Sequence, residues 1–299
     1  MSCLLSVVFV THGDRIEVVK RFLQSVNPYK TEKWIEFICV DNGSNPSSSD
    51  YIRGNFAFVH VITNEENSGT SRAYNAGLKQ AKGDYVLILN DDTVMPEGML
   101  DKLRAYLTEN PECDGIALGL KRNSTTNQAI RLKIVNISKS HPTKPTRATF
   151  VGTGNLLIRK TIIEDIGYYD ENYFAGNEDM DLSYRLKKVG IRIYYLPEFY
   201  IYHLHVYRHR KTHWTEVLLA RRLSDIYFAQ KFYPAFAFIT RIYALKNFKK
   251  RVGIVIDADT FKKAKGILFT KRDSYYEIQK SLVKNGIDVT YKRYIINEG

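Results

Sequence analysis

The sequence predicts an α/β fold built on a doubly wound, mainly parallel sheet flanked by helices. Three observations carry that reading. Short apolar runs such as Leu4–Val10 are hydrophobic at successive positions, as strands buried on both faces must be. These runs alternate with helix-length segments, the rhythm of crossover connections between parallel strands. Polar clusters recur at the ends of the runs, where open parallel sheets bind ligands.

In order, Leu4–Val10 is a strand and Arg15–Ser25 a helix. Glu36–Val40 and Phe58–Thr63 are strands, and Ser71–Ala81 is a helix closed by Lys82-Gly83. Tyr85–Leu89 is a strand, Glu97–Glu109 a helix and Asp114–Leu120 a strand. The polar stretch 121–148 reads as a loop, and Phe150–Arg159 returns to strand character. Glu178–Val189 is a helix stopped by Gly190, Ile191–His205 is extended and Thr212–Lys231 is helical. Residues 1–205 are therefore expected to form one α/β domain. Residues 206–299 form a basic, aromatic and largely helical C-terminal extension.

Charge supports that division. Of 44 Lys and Arg and 32 Asp and Glu, the first 205 residues hold 24 of each. The excess of +12 thus falls wholly on the extension. A basic segment rich in Tyr and Phe suits an anionic partner such as lipid headgroups or a lipid pyrophosphate. Lys246, Lys249, Lys250 and Arg251 form one cluster, and Lys262, Lys263 and Lys265 another. A nucleic-acid-binding protein is the alternative class, but no nucleic-acid-binding module is visible and it would leave the acidic clusters unexplained. Nucleic acid is not an expected partner.

The N-terminal segment lacks a basic leader and reads as a first strand. The nearest approach to a membrane span, Pro234 to Leu245, is short and contains Arg241. Three cysteines without metal-ligand or redox spacing, Cys3, Cys39 and Cys113, suit a reducing compartment. The expected location is the cytoplasm, peripheral at the inner face of the cell membrane.

Three strand ends carry the polar residues: Thr11-His12-Gly13, Asp41-Asn42-Gly43-Ser44 and Asn90-Asp91-Asp92. Adjacent carboxylates beside a buried strand repel each other and are costly to desolvate. A divalent cation resolves that conflict, and Mg²⁺ or Mn²⁺ can bridge carboxylates to substrate phosphates. Helix capping by Asp92 or Thr93 is the alternative reading. Asn67–Gly77 joins a loop to a helix N-terminus suited to anions, with Arg72 placed to meet a phosphate. It satisfies neither the P-loop nor the dinucleotide fingerprint.

Ser-Val-Val-Phe-Val-Thr at residues 6–11, Val40–Ser44, Asn67–Gly77, Gly83-Asp84-Tyr85 through Asn90-Asp91-Asp92-Thr93, and Gly176–Leu182 with Arg185 and Gly190 stand in the order found in family 2 of the glycosyltransferases. The chain resembles that family over residues 4–205. The resemblance implies a GT-A fold and an inverting, metal-dependent transfer from a nucleotide diphosphate sugar. It places Thr11 and Asp41 at the nucleobase and ribose, and Arg72 and Asn75 in the donor-binding segment. Asp91 falls near the donor sugar or phosphate, and Asp92 at a metal-ligand position. His203 matches a histidine that completes the metal site in some members, and a mixed His and carboxylate set favours Mn²⁺ over Mg²⁺. Asp179 matches the catalytic base, with Glu178 or Asp181 as alternatives. Helix-start charge, or an ion pair with Arg185, is the structural explanation for these acids.

Asn90 departs from the usual first Asp. That departure, with the segment Arg221–Pro234, resembles rhamnosyltransferases of surface polysaccharide assembly. A dTDP-rhamnose donor is the leading expectation and a UDP-hexose the second. A glycan or lipid-pyrophosphate-linked hydroxyl is the expected acceptor.

Overall fold

The computed structural model describes residues 3–121, 142–204, 214–252, 262, 265, 267–268 and 275–285. The chain divides into two compact units. One comprises Met1–Asp170 with Glu178–Tyr207, the other Glu171–Asn177 with Arg208–Gly299.

The first unit is a mixed α/β GT-A fold. Its strands are β1 (Leu5–Thr11), β2 (Ile35–Asn42), β3 (Val59–Asn64), β4 (Tyr85–Asn90), β5 (Thr93–Val94), β6 (Gly115–Lys121), β7 (Thr146–Arg147), β8 (Asn155–Arg159) and β9 (Ile193–His203). Its helices are α1 (Ile16–Val26), α2 (Ser48–Asn55), α3 (Thr70–Gln80), α4 (Met99–Glu109), α5 (Lys160–Asp165) and α6 (Glu178–Lys188). They form one sheet in the order β3-β2-β1-β4-β8-β6-β9-β5, with β7 paired to β9. Strands β1 to β4 are all parallel, and β6 runs parallel to β9. Strand β8 lies antiparallel between β4 and β6, and β5 and β7 are antiparallel to β9.

Both faces of the sheet are covered, as the continuous apolar runs required. Leu5, Val7 and Phe9 of β1 face a core shared with α1 and α4. Val8 faces the opposite core, with Tyr74 and Leu78 of α3 and Leu182 and Leu186 of α6. Helix α3 approaches closely because Gly77 lacks a side chain. A Cβ there would sit 2.5 Å from Val8 Cγ1 and 3.1 Å from Val40 Cγ2.

Parallel register aligns the strand ends. Thr11 stands opposite Asp41, Val10 opposite Asn90, and Asp41 opposite Thr63. Antiparallel pairing of β5 with β9 puts Thr93 opposite His203. Residues distant in sequence thus meet on one edge.

The second unit contains α7 (Trp214–Phe232), a 3₁₀ turn (Pro234–Phe236), α8 (Ala237–Val252) and α9 (Tyr275–Asn285). Leu219, Leu223 and Ile226 of α7 pack with Ala244, Leu268, Tyr275 and Leu282. Lys246, Lys262 and Lys265 are exposed, while Lys249, Lys250 and Arg251 continue α8. Lys263, His205 and residues 122–141 of the expected loop lie outside the described residues. Among the described residues no helix is long and apolar enough to cross a membrane. Cys3, Cys39 and Cys113 are all free thiols.

Candidate active site

The acidic turn after β4 is built around an arginine. Arg15, at the N-terminal boundary of α1, grips Asp91 with both arms of its guanidinium. Its Nε donates to Oδ2 at 2.9 Å and its Nη2 to Oδ1 at 2.5 Å. Nη2 also lies 3.4 Å from Asp92 Oδ2. A bidentate fork of this kind fixes the carboxylate's plane as well as its charge. Burial raises the Asp91 carboxyl, and the Arg15 hydrogen bonds and charge oppose it without reversing the shift. Thr11, at the end of β1, also acts on Asp91 to lower it. Burial acts on Asp92 in the same upward direction, but His203 and Arg15 outweigh it and hold that carboxyl below its ordinary value.

His203 reaches this turn from the end of β9. Its Nε2 lies 3.2 Å from Asp92 Oδ1 and 3.3 Å from Asn90 Nδ2. With its proton on Nδ1, the ring accepts from Asn90; with a proton on Nε2 it donates to Asp92. Asn90 in turn accepts at Oδ1 from the Tyr74 hydroxyl at 3.1 Å. Gly154 makes room for it. A Cβ on Gly154, whose φ is +106°, would meet the Asn90 amide at 2.4 Å.

The second strand end is a hydrogen-bonded loop. Asp41 is 1% exposed, and its carboxylate accepts from the Ser44 amide at 2.9 Å and from the Ser49 amide and hydroxyl at 2.7 and 2.8 Å. Burial pushes it up, but those donors prevail and its pKa lies below the ordinary value. Asp41 thereby ties the β2 end to the start of α2. Asn42 receives the amide and hydroxyl of Ser68 on its Oδ1, at 3.0 and 2.8 Å, and its Nδ2 donates to Asn67 Oδ1 at 3.0 Å. His12 Nδ1 lies 2.8 Å from the Asn42 carbonyl, and its Nε2 3.2 Å from Asn67 Nδ2.

On α3, Arg72 is exposed and Asn75 is buried. The Asn75 amide bonds the Tyr169 backbone in both directions, donating to its carbonyl at 2.9 Å and accepting from its N–H at 3.0 Å. Tyr74 and Tyr169 lie with ring centroids 5.9 Å apart. Burial raises the Tyr74 phenol, and Tyr169, Asp91, Glu178 and Asp92 add to the shift. Glu178 and Asp179 act likewise on Tyr169, behind the larger effect of burial. The tyrosine pair therefore stands within the field of both acidic groups, the turn after β4 and the start of α6.

Glu178, Asp179 and Asp181 fall in the first turn of α6, where the helix dipole favours negative charge. Asp181 is fully buried and pairs with Arg185 at 2.5 Å. Arg185 also donates to the carbonyls of Ile166 and Tyr168, each at 2.7 Å. This triad anchors the helix and commits Asp181 to structure. Glu178 is buried, whereas Asp179 is half-exposed and accepts from the Met180 amide at 2.8 Å.

The residues leading into α6 are held within the second unit. Ser224 Oγ on α7 and Gln279 on α9 bond each other at 2.9 Å, and Ser224 donates to the Ala175 carbonyl at 2.9 Å. Gln279 Nε2 donates to the Asn172 carbonyl at 3.3 Å, and Asn177 Nδ2 to Asp225 at 2.9 Å. Asn177 adopts a φ of +66°.

Arg15 and the clamp on residues 172–177 are not expected from sequence, and Asn42 stands there only as part of the polar strand end Asp41-Asn42-Gly43-Ser44. In the sequence Arg15 is only the first residue of an expected helix. The one available signal was the need of two adjacent carboxylates for a counter-charge. Among the described residues no three His, Cys, Asp or Glu side chains converge to hold a metal. Asp92 and His203 supply two donors of the right chemistry, one carboxylate oxygen and one imidazole nitrogen. A cation held there would complete its shell with phosphate oxygens and water, the usual habit of Mg²⁺. The residues fit that role.

Polar strand ends of this kind mark a ligand site in an open α/β sheet, and sequence comparison assigns the family. Residues 6–167 match glycosyl transferase family 2, and the chain belongs to that family. It is similar to poly-beta-1,6-N-acetyl-D-glucosamine synthase of Staphylococcus aureus, with 28% identity over 195 residues, covering 60% of this chain and 45% of the relative. It is also similar to pre-mycofactocin glycosyltransferase of Mycobacterium tuberculosis, with 28% identity over 183 residues, covering 57% of this chain and 38% of the relative. The chain thus spans less than half the length of these curated relatives. Among solved structures, residues 1–349 of S. aureus TarS share the fold, with a TM-score of 0.56 and 17% identity, over 98% of this chain and 100% of that one. GalNAc-T7 with UDP, GalNAc and Mn²⁺ shares it with a TM-score of 0.51 and 19% identity, over 68% of this chain and 44% of that one.

Proposed function

We propose that the protein is an inverting, metal-dependent glycosyltransferase that moves a sugar from a nucleotide diphosphate donor to a hydroxyl of a glycan or lipid-pyrophosphate-linked acceptor. The observation that carries this is the grouping of Arg15, Asp91, Asp92 and His203 at the C-terminal strand edge, with Tyr74 feeling both Asp91 and Asp92 and Glu178 of α6.

Thr11 and Asp41, at neighbouring strand ends, form the nucleoside side of the site. Asp41 acts by keeping the loop from Ser44 to Ser49 in place. Arg72 meets the diphosphate from the start of α3, and Asn75 positions Tyr169. Arg15 keeps Asp91 aligned toward the donor. Asp92 and His203 would hold Mn²⁺ or Mg²⁺, which when bound offsets charge on the departing diphosphate. Asp179 takes the acceptor's proton as its oxygen attacks the anomeric carbon from the face opposite the diphosphate, so configuration inverts. Its half-exposed carboxylate supports it over the buried Glu178.

Asn90 and the Arg221–Pro234 segment support dTDP-rhamnose as donor. The N-acetylhexosamine named in the relative and in the Mn²⁺-bound neighbour supports UDP-N-acetylhexosamine as a second reading. The basic extension supports work at an anionic, cytoplasmic membrane surface during surface polysaccharide synthesis.

Calorimetry of UDP and of dTDP, each with Mn²⁺, tests the reading. Binding of one nucleotide in the parent and its loss in Asp92→Ala is the expected result. Equal affinity in parent and variant would remove Asp92 from the metal site. Turnover with a panel of both donors then selects the sugar.

A further inference from the structure

Helix α8 shows its larger apolar face to solvent. Its inward face carries Ala244, half-buried Leu245 and Arg241. Ala244 is buried, and Arg241 donates to the Leu268 carbonyl at 2.6 Å and to the Tyr275 hydroxyl at 3.1 Å. Its outward face is apolar. Phe238, Ile239, Ile242 and Tyr243 are 64, 61, 50 and 63% exposed, and Phe236 in the preceding turn is 61% exposed. Spacings of three and four residues put these side chains on one stripe. With Tyr233 they are six of the eight large hydrophobic side chains exposed among the described residues. Scattered exposed hydrophobics need no explanation, but a contiguous stripe marks a surface that is covered in use.

The charge around the stripe selects its occupant. Residues 226–256 contain no Asp or Glu and six cations: Lys231, Arg241, Lys246, Lys249, Lys250 and Arg251. Exposed Lys246 continues the apolar stripe along the helix. A second copy of this chain would bring the same uncompensated positive charge to the contact. An anionic bilayer instead offers hydrocarbon for the Phe and Ile side chains, an interface for the Tyr rings and negative headgroups for the cations.

We propose that α8 with the turn before it is a bilayer-inserting anchor, lying in the plane of an anionic membrane with Phe236, Phe238, Ile239, Ile242 and Tyr243 among the acyl chains. The inference deepens the membrane-surface part of the proposed function, and the apolar insertion adds to what basic charge alone would do. Charge-only adsorption disappears in salt, whereas buried apolar area does not.

Co-sedimentation of the full chain with vesicles of phosphatidylglycerol and phosphatidylcholine tests it, beside sedimentation velocity without lipid. The parent is expected to bind anionic vesicles and to keep measurable binding at salt concentrations that screen surface charge. Phe238→Ser with Ile239→Ser and Ile242→Ser should bind about 10-fold less or worse, as expected when three inserted side chains are lost. These positions are exposed, so the variant should melt and turn over a water-soluble acceptor as the parent does. Ile239→Trp should strengthen binding, which guards against a loss caused by misfolding. Equal binding by parent and triple variant, or parent binding that vanishes entirely in salt, overturns the anchor. So does lipid-free self-association of the parent that the triple variant abolishes, since the stripe is then a contact between copies. Each of these results leaves turnover, and with it the transferase reading, to be judged separately.

Discussion

Arg15 shows what single residues decide here. Asp91 is nearly buried, and its charge is matched by a guanidinium whose side chain is 21% exposed. Removing one partner of a buried pair leaves an uncompensated charge, which costs about 3 kcal/mol. Arg15→Gln should therefore lower the melting temperature and weaken donor binding. Its pH dependence carries a definite sign. The folded-state carboxyl of Asp91 already lies above its ordinary value through burial, and losing Arg15 pushes it higher. A carboxyl raised in the folded state binds its proton more tightly there, so stability recovers as pH falls through that folded value. Melting curves of the variant across pH check this, and a deficit independent of pH would remove the charge argument. Asp41 has the opposite sign. Its folded pKa is depressed, so its contribution is full above the unfolded value and is lost as pH falls below about 4. Asp41→Asn should be less stable at neutral pH and show a shallower loss of stability in acid. At α6, Asp179→Asn should leave nucleotide affinity intact and lower turnover by about 10² to 10⁴-fold, the usual loss for a general base. Glu178→Gln with the larger effect would transfer the role to Glu178.

Elements place these residues with a precision that residue type alone does not supply. Strand β9 delivers His203 to Asp92 only because it pairs antiparallel with the two-residue strand β5. Gly154 governs the same corner from the turn before β8. Its backbone is left-handed, and a Cβ would collide with the Asn90 side chain. Gly154→Ala should displace Asn90 and weaken metal-dependent nucleotide binding, and calorimetry with Mn²⁺ reads the effect directly. In the second unit, α7 and α9 hold residues 172–177: Ser224 and Gln279 bond the Ala175 and Asn172 carbonyls, and Asp225 bonds the Asn177 side chain. Asn177 keeps its positive φ within that clamp, and the chain runs straight on into Glu178 and Asp179. Asp225→Ala removes the Asn177 hydrogen bond. It should reduce kcat more than it changes nucleotide affinity, because the loosened segment leads to the proposed base and not to the strand ends. Equal losses in kcat and affinity would place the effect elsewhere.

At the scale of the whole molecule, ligand binding and thiol chemistry report on the stability of the first unit. A nucleotide at 100 times its Kd stabilises the native state by about 2.7 kcal/mol, so the cognate nucleotide with Mn²⁺ should raise the melting temperature by a few degrees. Asp92→Ala should lose that rise. Cys39 is wholly buried in the sheet, and burial raises its thiol well above the ordinary value. Cys3 and Cys113 are raised by burial as well. The thiolate is the reactive form, so native protein near neutral pH should alkylate slowly and Cys39 only on unfolding. Mass spectrometry after timed labelling checks the order.

The sequence by itself determined the parallel strands β1 to β4, helices α1 and α3 between them and the polar residues at the strand ends. Continuous apolar runs and helical periodicity are local signals, and a parallel sheet follows from their alternation. It also determined where the charge lies, since +12 is a property of composition. Helix α2 was not legible, because Ser48–Asn55 is polar and is started by Asp41 and Ser47 rather than by an apolar stripe. The direction of β8 was not legible either, because a short, wholly buried strand carries the same pattern whichever way it runs. Only the tertiary structure brought Arg15 to Asp91, 76 positions away, and His203 to Asp92, with Asn90 alongside, 113 positions from His203. It also turned Asn75 toward Tyr169 and the apolar stripe of α8 toward solvent. The physical reason is the same in each case: residue type limits what a side chain can bond, while strand register and helix packing choose the partner.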